Sequence, residues 1–146
     1  PARDVEFDLD RVVDFEGETG PYLQYAHTRC LSILRKAQET GALKGSVTFQ
    51  SDAAALLTHD LEIQLVKTLG QFPLQLERTL AFTKTSQLAH YLIDVTQAFG
   101  AFYRECHVLS NEDARLTQGR LMLVEATRRI LAQGSALLGI PLPERM

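Results

Sequence analysis

Between residues 86 and 106 the side chains Leu88, Leu92, Val95, Phe99, Phe102 and Cys106 return at alternating steps of four and three. Only a helix lines up side chains at that spacing, because its 3.6-residue turn brings every third or fourth residue to one face. So long an apolar stripe has to be covered by other elements. No alternating run elsewhere offers a series of strands, so the fold class follows as all-α, a helical bundle with short connections.

The partners of that helix can be read from their ends. Pro21 suits a first helical turn and Gly41 a C-terminal cap, which bounds a helix between them. At about 100° per residue, Leu23, Ala26, His27, Cys30, Leu31, Leu34 and Ala37 share its broad core face. Ser51 is expected to cap a short helical piece, "DAAALL", after a loop with an extended stretch at 47–49. Thr58 is expected to cap the next helix, striped by Leu61, Leu65, Leu69 and Phe72. Pro73 interrupts it and starts another through Leu74, Leu76 and Leu80. Ser110 with Asp113 resembles a capping box for a last helix, with Leu116, Leu123, Ile130, Leu131 and Leu137 inside. Gly119 and Gly134 lower helix propensity there, so close packing is the expected reason for them. Gly139 stops that helix, and "IPLPERM" reads as an extended tail. The segment "VEFDLDRVVDF" is ambiguous between a strand and a short helix capped by Asp8.

A chain of 146 residues suits one domain with a core of its own, spanning 1–146. No apolar run approaches a membrane span, and the acidic opening "PARDVEFDLD" lacks the order of a signal peptide. Export is therefore not expected, and Cys30 and Cys106 fit a reduced compartment, with the cytoplasm as the expected location. The net charge of −3 is uneven. Residues 1–20 sum to −5 and the remainder to +2, too weak a balance to signal nucleic acid alone. Contact with RNA would have to be local and use stacking.

Neither phosphate-cradling glycine loop is present, and no nucleophile elbow. His27 and Cys30, one turn apart, with Cys106 and His107, make a weak candidate metal set; their place on the core face favours burial instead. The acids Asp8, Asp10, Asp14, Glu16 and Glu18 read as a solvated or interdomain surface. Arg128 and Arg129 read first as a polar helix face and second as an RNA contact.

Tyr22, Tyr25, Arg29 and Lys36 form a separate arc beside the core stripe of the first helix. Tyr103, Thr96 and His107 flank the stripe of the long central helix in the same manner. Boundary tyrosines often only finish a core. The functional alternative is a stacking platform for unpaired bases, with Arg29 and Lys36 taking phosphate.

Three stretches then carry a resemblance. "FDLDRVVDFEGETGPYLQYAHTRCLSILRKA" at 7–37, "AFGAFYRECHVL" at 98–109 and "ARLTQGRLMLVEATRRILAQGSALLGIPLPERM" at 114–146 closely resemble the C-terminal DALR anticodon-binding domain of arginyl-tRNA synthetases. The namesake letters survive only loosely, as "EDARL" at 112–116. The resemblance implies a helical module that grips the anticodon stem and loop of arginine tRNA. By motif it carries over Tyr25, Tyr103 and Met146 as pocket residues, with Tyr22 and Arg29 as neighbours. His107 stands where some members have an aromatic residue. The resemblance also implies a parent class I ligase that joins arginine to tRNA with ATP and magnesium. The H-I-G-H-type and K-M-S-K-S-type motifs of its catalytic domain are absent here. The expectation is a fragment that binds tRNA, holds no cofactor and forms no arginyl-adenylate, its first 20 residues partly a seam with the missing domain. Two other classes compete. One is a free-standing helical protein-interaction module on the same fold; the other is a small metal enzyme using the His and Cys set.

Overall fold

A computed structural model of the chain describes residues 20–109 and 113–145. The ambiguous segment at 5–15, the acidic cluster and the proposed seam lie outside the described residues, as do Ser110 and Met146. Among the described residues six helices follow in order: α1 Gly20–Glu39, α2 Ser51–Ala54, α3 Asp60–Gly70, α4 Phe72–Phe82, α5 Thr85–Glu105 and α6 Ala114–Leu137. Among the described residues there is no strand, and no helix is long and apolar enough to cross a membrane.

The striped segment is α5, and it is the hub. It packs against α1, α3, α4 and α6, while α6 also covers α2 and α3. Every member of its stripe is buried, with Phe99 and Phe102 among the largest sealed side chains. Covering a phenylalanine or leucine of this kind contributes about 1.5–3 kcal/mol, so this one helix supplies much of the drive to assemble. Tyr91 extends the seam: its ring lies against Phe72 and its hydroxyl donates to the Thr68 carbonyl at 2.9 Å.

Both glycines of α6 mark close approaches. A Cβ at Gly134 would lie 2.5 Å from Leu92 Cδ2, and one at Gly119 2.6 Å from the Ala53 carbonyl oxygen. Helix α1 ends as the sequence predicts. Gly41 takes φ +78°, and the Leu43 amide turns back to the Ala37 carbonyl at 2.9 Å. That left-handed turn favours glycine and folds Leu43 into the core. Gly139 does the same after α6, at φ +70°. The tail then crosses α1, where Gln24 Nε2 donates to the Pro141 carbonyl at 2.8 Å and Thr28 Oγ1 to that of Pro143 at 3.4 Å.

Several local expectations are corrected. The cap of α3 is His59, not Thr58: its ring nitrogen accepts the Leu61 amide while Glu62 reaches back to the His59 amide. Gln50, not Ser51, precedes α2, which is one turn long. Asp113 caps α6 directly, accepting the amides of Arg115 and Leu116. On α1 the buried path is Leu23, Ala26, Cys30, Ile33 and Ala37; Leu31 and Leu34 are only half-buried. On α6 the sealed apolar positions are Leu121, Leu123, Val124 and Leu131, with Leu116 and Ile130 at the edge and Leu137 63% exposed. Leu116, Leu123, Ile130 and Leu137 are strict seven-residue steps. A straight helix drifts about 20° per heptad, so the last of them has rotated out of the core. Leu80, expected on a stripe of α4, is 80% exposed, and no residue of α4 is buried.

Candidate nucleic-acid interface

The buried faces of α1 and α5 meet each other, and their shoulders form a cleft of about 620 Å³. Tyr25 projects from α1, 41% exposed, while Tyr103 lies half-buried on α5 with its ring 6.2 Å from that of Phe99. Between them stands Arg29. Its guanidinium carbon is 4.6 Å from the centre of the Tyr25 ring and 4.6 Å from that of Tyr103. A planar cation attracted by two electron-rich ring faces locks both tyrosines in place. The floor of the cleft is Thr28, Ser32 and Ile33, and Lys36, Arg104 and His107 stand around it.

A second hollow of about 410 Å³ continues the first along α1 and α5. It shares Tyr25, Arg29, Tyr103 and Arg104 and adds Tyr22. Gly100 lies at its base: a Cβ there would come within 4.0 Å of the Tyr22 hydroxyl and 3.7 Å of Arg104 Nη1. The structure thus brings Tyr22, Tyr25, Arg29, Tyr103 and His107 to one side of the molecule, as two adjoining hollows. Met146, the sixth residue of that set, lies outside the described residues.

The electrostatics are one-sided. Arg29, Lys36 and Arg104 border the hollows, and none of the described residues that line them is acidic. A chain of negative overall charge therefore carries a locally positive, aromatic groove. This combination suits unpaired nucleotides, whose flat bases stack while their phosphates seek cations.

The alternative set behaves differently. Cys30 and Cys106 are buried free thiols. Burial raises both thiols, Cys30 strongly, so neither is a ready thiolate ligand. His27 is held below the usual imidazole range, first by burial and then by the nearby Arg128 guanidinium, with a hydrogen bond to the Pro143 backbone opposing. Among the described residues no three His, Cys, Asp or Glu side chains come together to hold a metal. Arg128 and Arg129 face away from the tyrosine cleft and share Glu125, with Nε–oxygen distances of 2.7 and 2.6 Å.

Sequence reasoning passed over Arg104, Gly100 and Ile33. Each had a visible signal: Arg104 follows Tyr103 on the same helix, Gly100 is a helix-interior glycine, and Ile33 continues the three–four stepping from Ala26 and Cys30. It also passed over Glu62, a lone acid one turn before Leu65 on a core stripe.

The sequence is 42% identical over 146 residues to the arginine–tRNA ligase of Treponema denticola and 40% identical to that of Chloroflexus aurantiacus, covering all of this chain and 25% of each relative. It is thus about a quarter as long as these curated relatives. Its fold matches arginyl-tRNA synthetase of Thermus thermophilus with a TM-score of 0.83 at 35% identity, over all of this chain and 24% of that one. The Plasmodium falciparum enzyme gives 0.80 at 30% identity, over 99% and 24%. Residues 23–146, which include Tyr25 and Tyr103 but not Tyr22, match the family described as the DALR anticodon binding domain, and the chain belongs to that family.

Proposed function

We propose that these 146 residues act as the anticodon-binding part of an arginine–tRNA ligase. The ligase as a whole would attach arginine to its tRNA with ATP and magnesium, using catalytic residues outside this sequence. Its place of work would be the cytoplasm. The reading is carried by one observation: two tyrosines clasp an arginine in an acid-free groove on a domain of the DALR family.

In this reading Tyr25 and Tyr103 stack on unpaired anticodon-loop bases, and Arg29, released from between them, takes phosphate or a base edge. Tyr22 extends the stacking surface along α1, and His107 closes the other end. Met146 enters this reading through the family motif alone; its neighbour Arg145 borders the hollow on the other side of α1. Stacking on an aromatic ring contributes about 1–3 kcal/mol per base, enough to select a loop without a strongly basic surface.

The test is titration of the chain with arginine tRNA and with a non-cognate tRNA at one stated salt concentration. Tighter binding of the cognate species, weakened by Tyr25→Ala and by Tyr103→Ala while the helical circular dichroism is kept, supports the reading. Equal binding of both tRNAs, or no effect of either substitution, refutes it.

A further inference from the structure

Glu62 is 1% exposed on α3, and its only cationic partner among the described residues is Arg120 of α6, at 2.6 Å from Nε to Oε1. The other carboxylate oxygen accepts the His59 amide at 2.9 Å, in the cap of α3. The guanidinium has a further arm. Arg120 Nη1 donates to the His107 carbonyl at 3.0 Å. His107 lies just past α5, where Cys106 has left the helix in an extended conformation at φ −101° and ψ 99°. Its neighbours Val108 and Leu109 form the wall of the tyrosine cleft with it.

Stability alone does not account for this arrangement. A buried ion pair costs about as much in lost hydration as it returns, and apolar side chains of equal volume often serve as well. They would leave the His107 carbonyl without this donor. A planar, five-donor fork reaches a carboxylate and a loop carbonyl from separate nitrogens in a fixed geometry, whereas the three donors of a lysine share one nitrogen at the end of a shorter, flexible stem. The segment after α5 is irregular, so helical hydrogen bonding does not fix His107, while Cys106 and Val108 on either side of it are buried and Leu109 packs against the core.

We propose that Arg120, held by Glu62, is a positioning residue for the RNA cleft: it fixes the wall formed by His107, Val108 and Leu109 at the distance from Tyr103 that admits the correct base. This rests on the anticodon-binding reading above. It assigns a functional part to two residues that touch no RNA. A wall held this way discriminates between bases, because a site loosened by a fraction of an ångström still binds but selects poorly.

The test compares the chain with Arg120→Lys and with the volume-conserving pair Glu62→Leu/Arg120→Met. Each is titrated with an arginine-tRNA anticodon stem-loop and with the same stem-loop carrying one exchanged anticodon base. Hydrogen exchange is followed at residues 106–109. Arg120→Lys keeps the charge opposite Glu62 and loses the reach to His107. It is expected to weaken the cognate complex by about tenfold, a 1.4 kcal/mol change, and to leave the exchanged one nearly unaffected. Exchange at 106–109 should quicken while α1 and the core of α5 stay protected. The Leu/Met pair removes any question of a stranded charge and should fold, melt near the parent temperature and show the same lost selectivity. Normal discrimination by that folded pair overturns the inference, as does an Arg120→Lys variant in which both stem-loops weaken equally. A parent chain that fails to distinguish the stem-loops overturns the anticodon reading and this inference together.

Discussion

The two sides of α1 make an instructive pair. On one side Tyr25, Arg29 and Lys36 face Tyr103 and Arg104, with aromatic rings half in water and no acid among the described lining residues. On the other a hollow of about 500 Å³ is bordered by Arg35, Arg128 and Arg145 together with His27, Leu31 and Glu144. The number of cations bordering each side is similar. What differs is their engagement. Arg128 gives two nitrogens to Glu125 at 2.7 and 2.8 Å, Arg35 donates to Ser32, and Glu144 adds a negative charge. An arginine tied to a carboxylate offers little to a phosphate, and the ring among that side's described lining residues, His27, is buried. The tail, pinned to Gln24 and Thr28, runs over α1 between the two. The two sides are thus separated by the exposed rings and by the lack of an acid among the described residues lining the tyrosine side, and a count of basic residues alone would choose both.

The largest expected effect breaks the comparison at the rings. Replacing Tyr25 and Tyr103 together by alanine should weaken arginine-tRNA binding by about 100-fold, the scale of two lost stacking contacts at roughly 1–3 kcal/mol each. The loss should fall short of the product of the single losses, because both rings share Arg29 and their contributions are coupled. Replacing Leu31 and Leu34 on the opposite side by alanine should leave the dissociation constant unchanged. Fluorescence titration at fixed salt measures both, and an equal response from the two sides would erase the distinction.

Next in size is the charge. Arg29→Lys is expected to cost about tenfold in affinity, since a point-charge ammonium can take phosphate but cannot lie flat between two rings. Lys36→Ala and Arg104→Ala should each weaken binding only a few-fold. They should lower the slope of log affinity against log salt by about 0.7 per lost phosphate contact. Arg128→Ala should leave that slope alone. An Arg128 variant with a shallower slope would place RNA on both sides of the helix.

How much of this was legible in the sequence depends on the range of the interaction. The stripe of α5 and the glycine stops at Gly41 and Gly139 are local patterns, set by helix geometry and by the left-handed turn, and they could be read directly. The arc of Tyr22, Tyr25 and Arg29 was legible as an arc, because 100° per residue fixes it. The insertion of Arg29 between two rings was not, since one of those rings arrives from a helix more than 60 residues away in the chain. The link from Glu62 through Arg120 to the His107 carbonyl was likewise hidden, for it joins three segments that only tertiary packing brings together. The end of α6 misled for a simpler reason: Leu137 satisfies a seven-residue count that a straight helix does not keep. Caps failed by one residue at His59 because histidine, a rare N-cap, here accepts an amide through its ring.

Smaller again is the effect on stability of the committed arginine. Hydrogen bonds from Arg128 and Arg129 hold the Glu125 carboxyl below the usual carboxylate range against the cost of its partial burial. Arg128→Ala leaves that carboxylate with Arg129 alone. The pair is partly open to water, so the expected loss is about 0.5–1 kcal/mol, and the melting temperature should fall by roughly 1–4 °C. Cognate tRNA affinity at a temperature where both forms are folded should not change. Thermal melts and one titration separate the outcomes. Loss of affinity without loss of stability would move Arg128 from the structural side of α1 to the binding side.

The finest test uses pH, because the structural side holds a titratable ring against the tail and the binding side is dominated by permanent cations. His27 is buried, its Nδ1 has no hydrogen-bond partner, and its pKa lies below the ordinary value of 6.5. The ring is therefore neutral in the folded chain at pH 7, and the unfolded chain binds a proton more readily. Stability must then fall as pH drops below about 6.5, and this contribution levels off once the pH is under the folded pKa. Glu125, whose folded pKa is lowered, adds a loss in the same direction at more acidic pH. Arg128, the nearest cation, steepens the first phase by repelling an imidazolium beside it, and the Pro143 carbonyl softens it. Urea melts from pH 7.5 to 5 should show this decline. In His27→Asn the decline between pH 6.5 and 5.5 should flatten, leaving the Glu125 phase in place. If the two curves run parallel, the folded imidazole takes up a proton as readily as the unfolded one, and the structural side of α1 would be open enough to hydrate it.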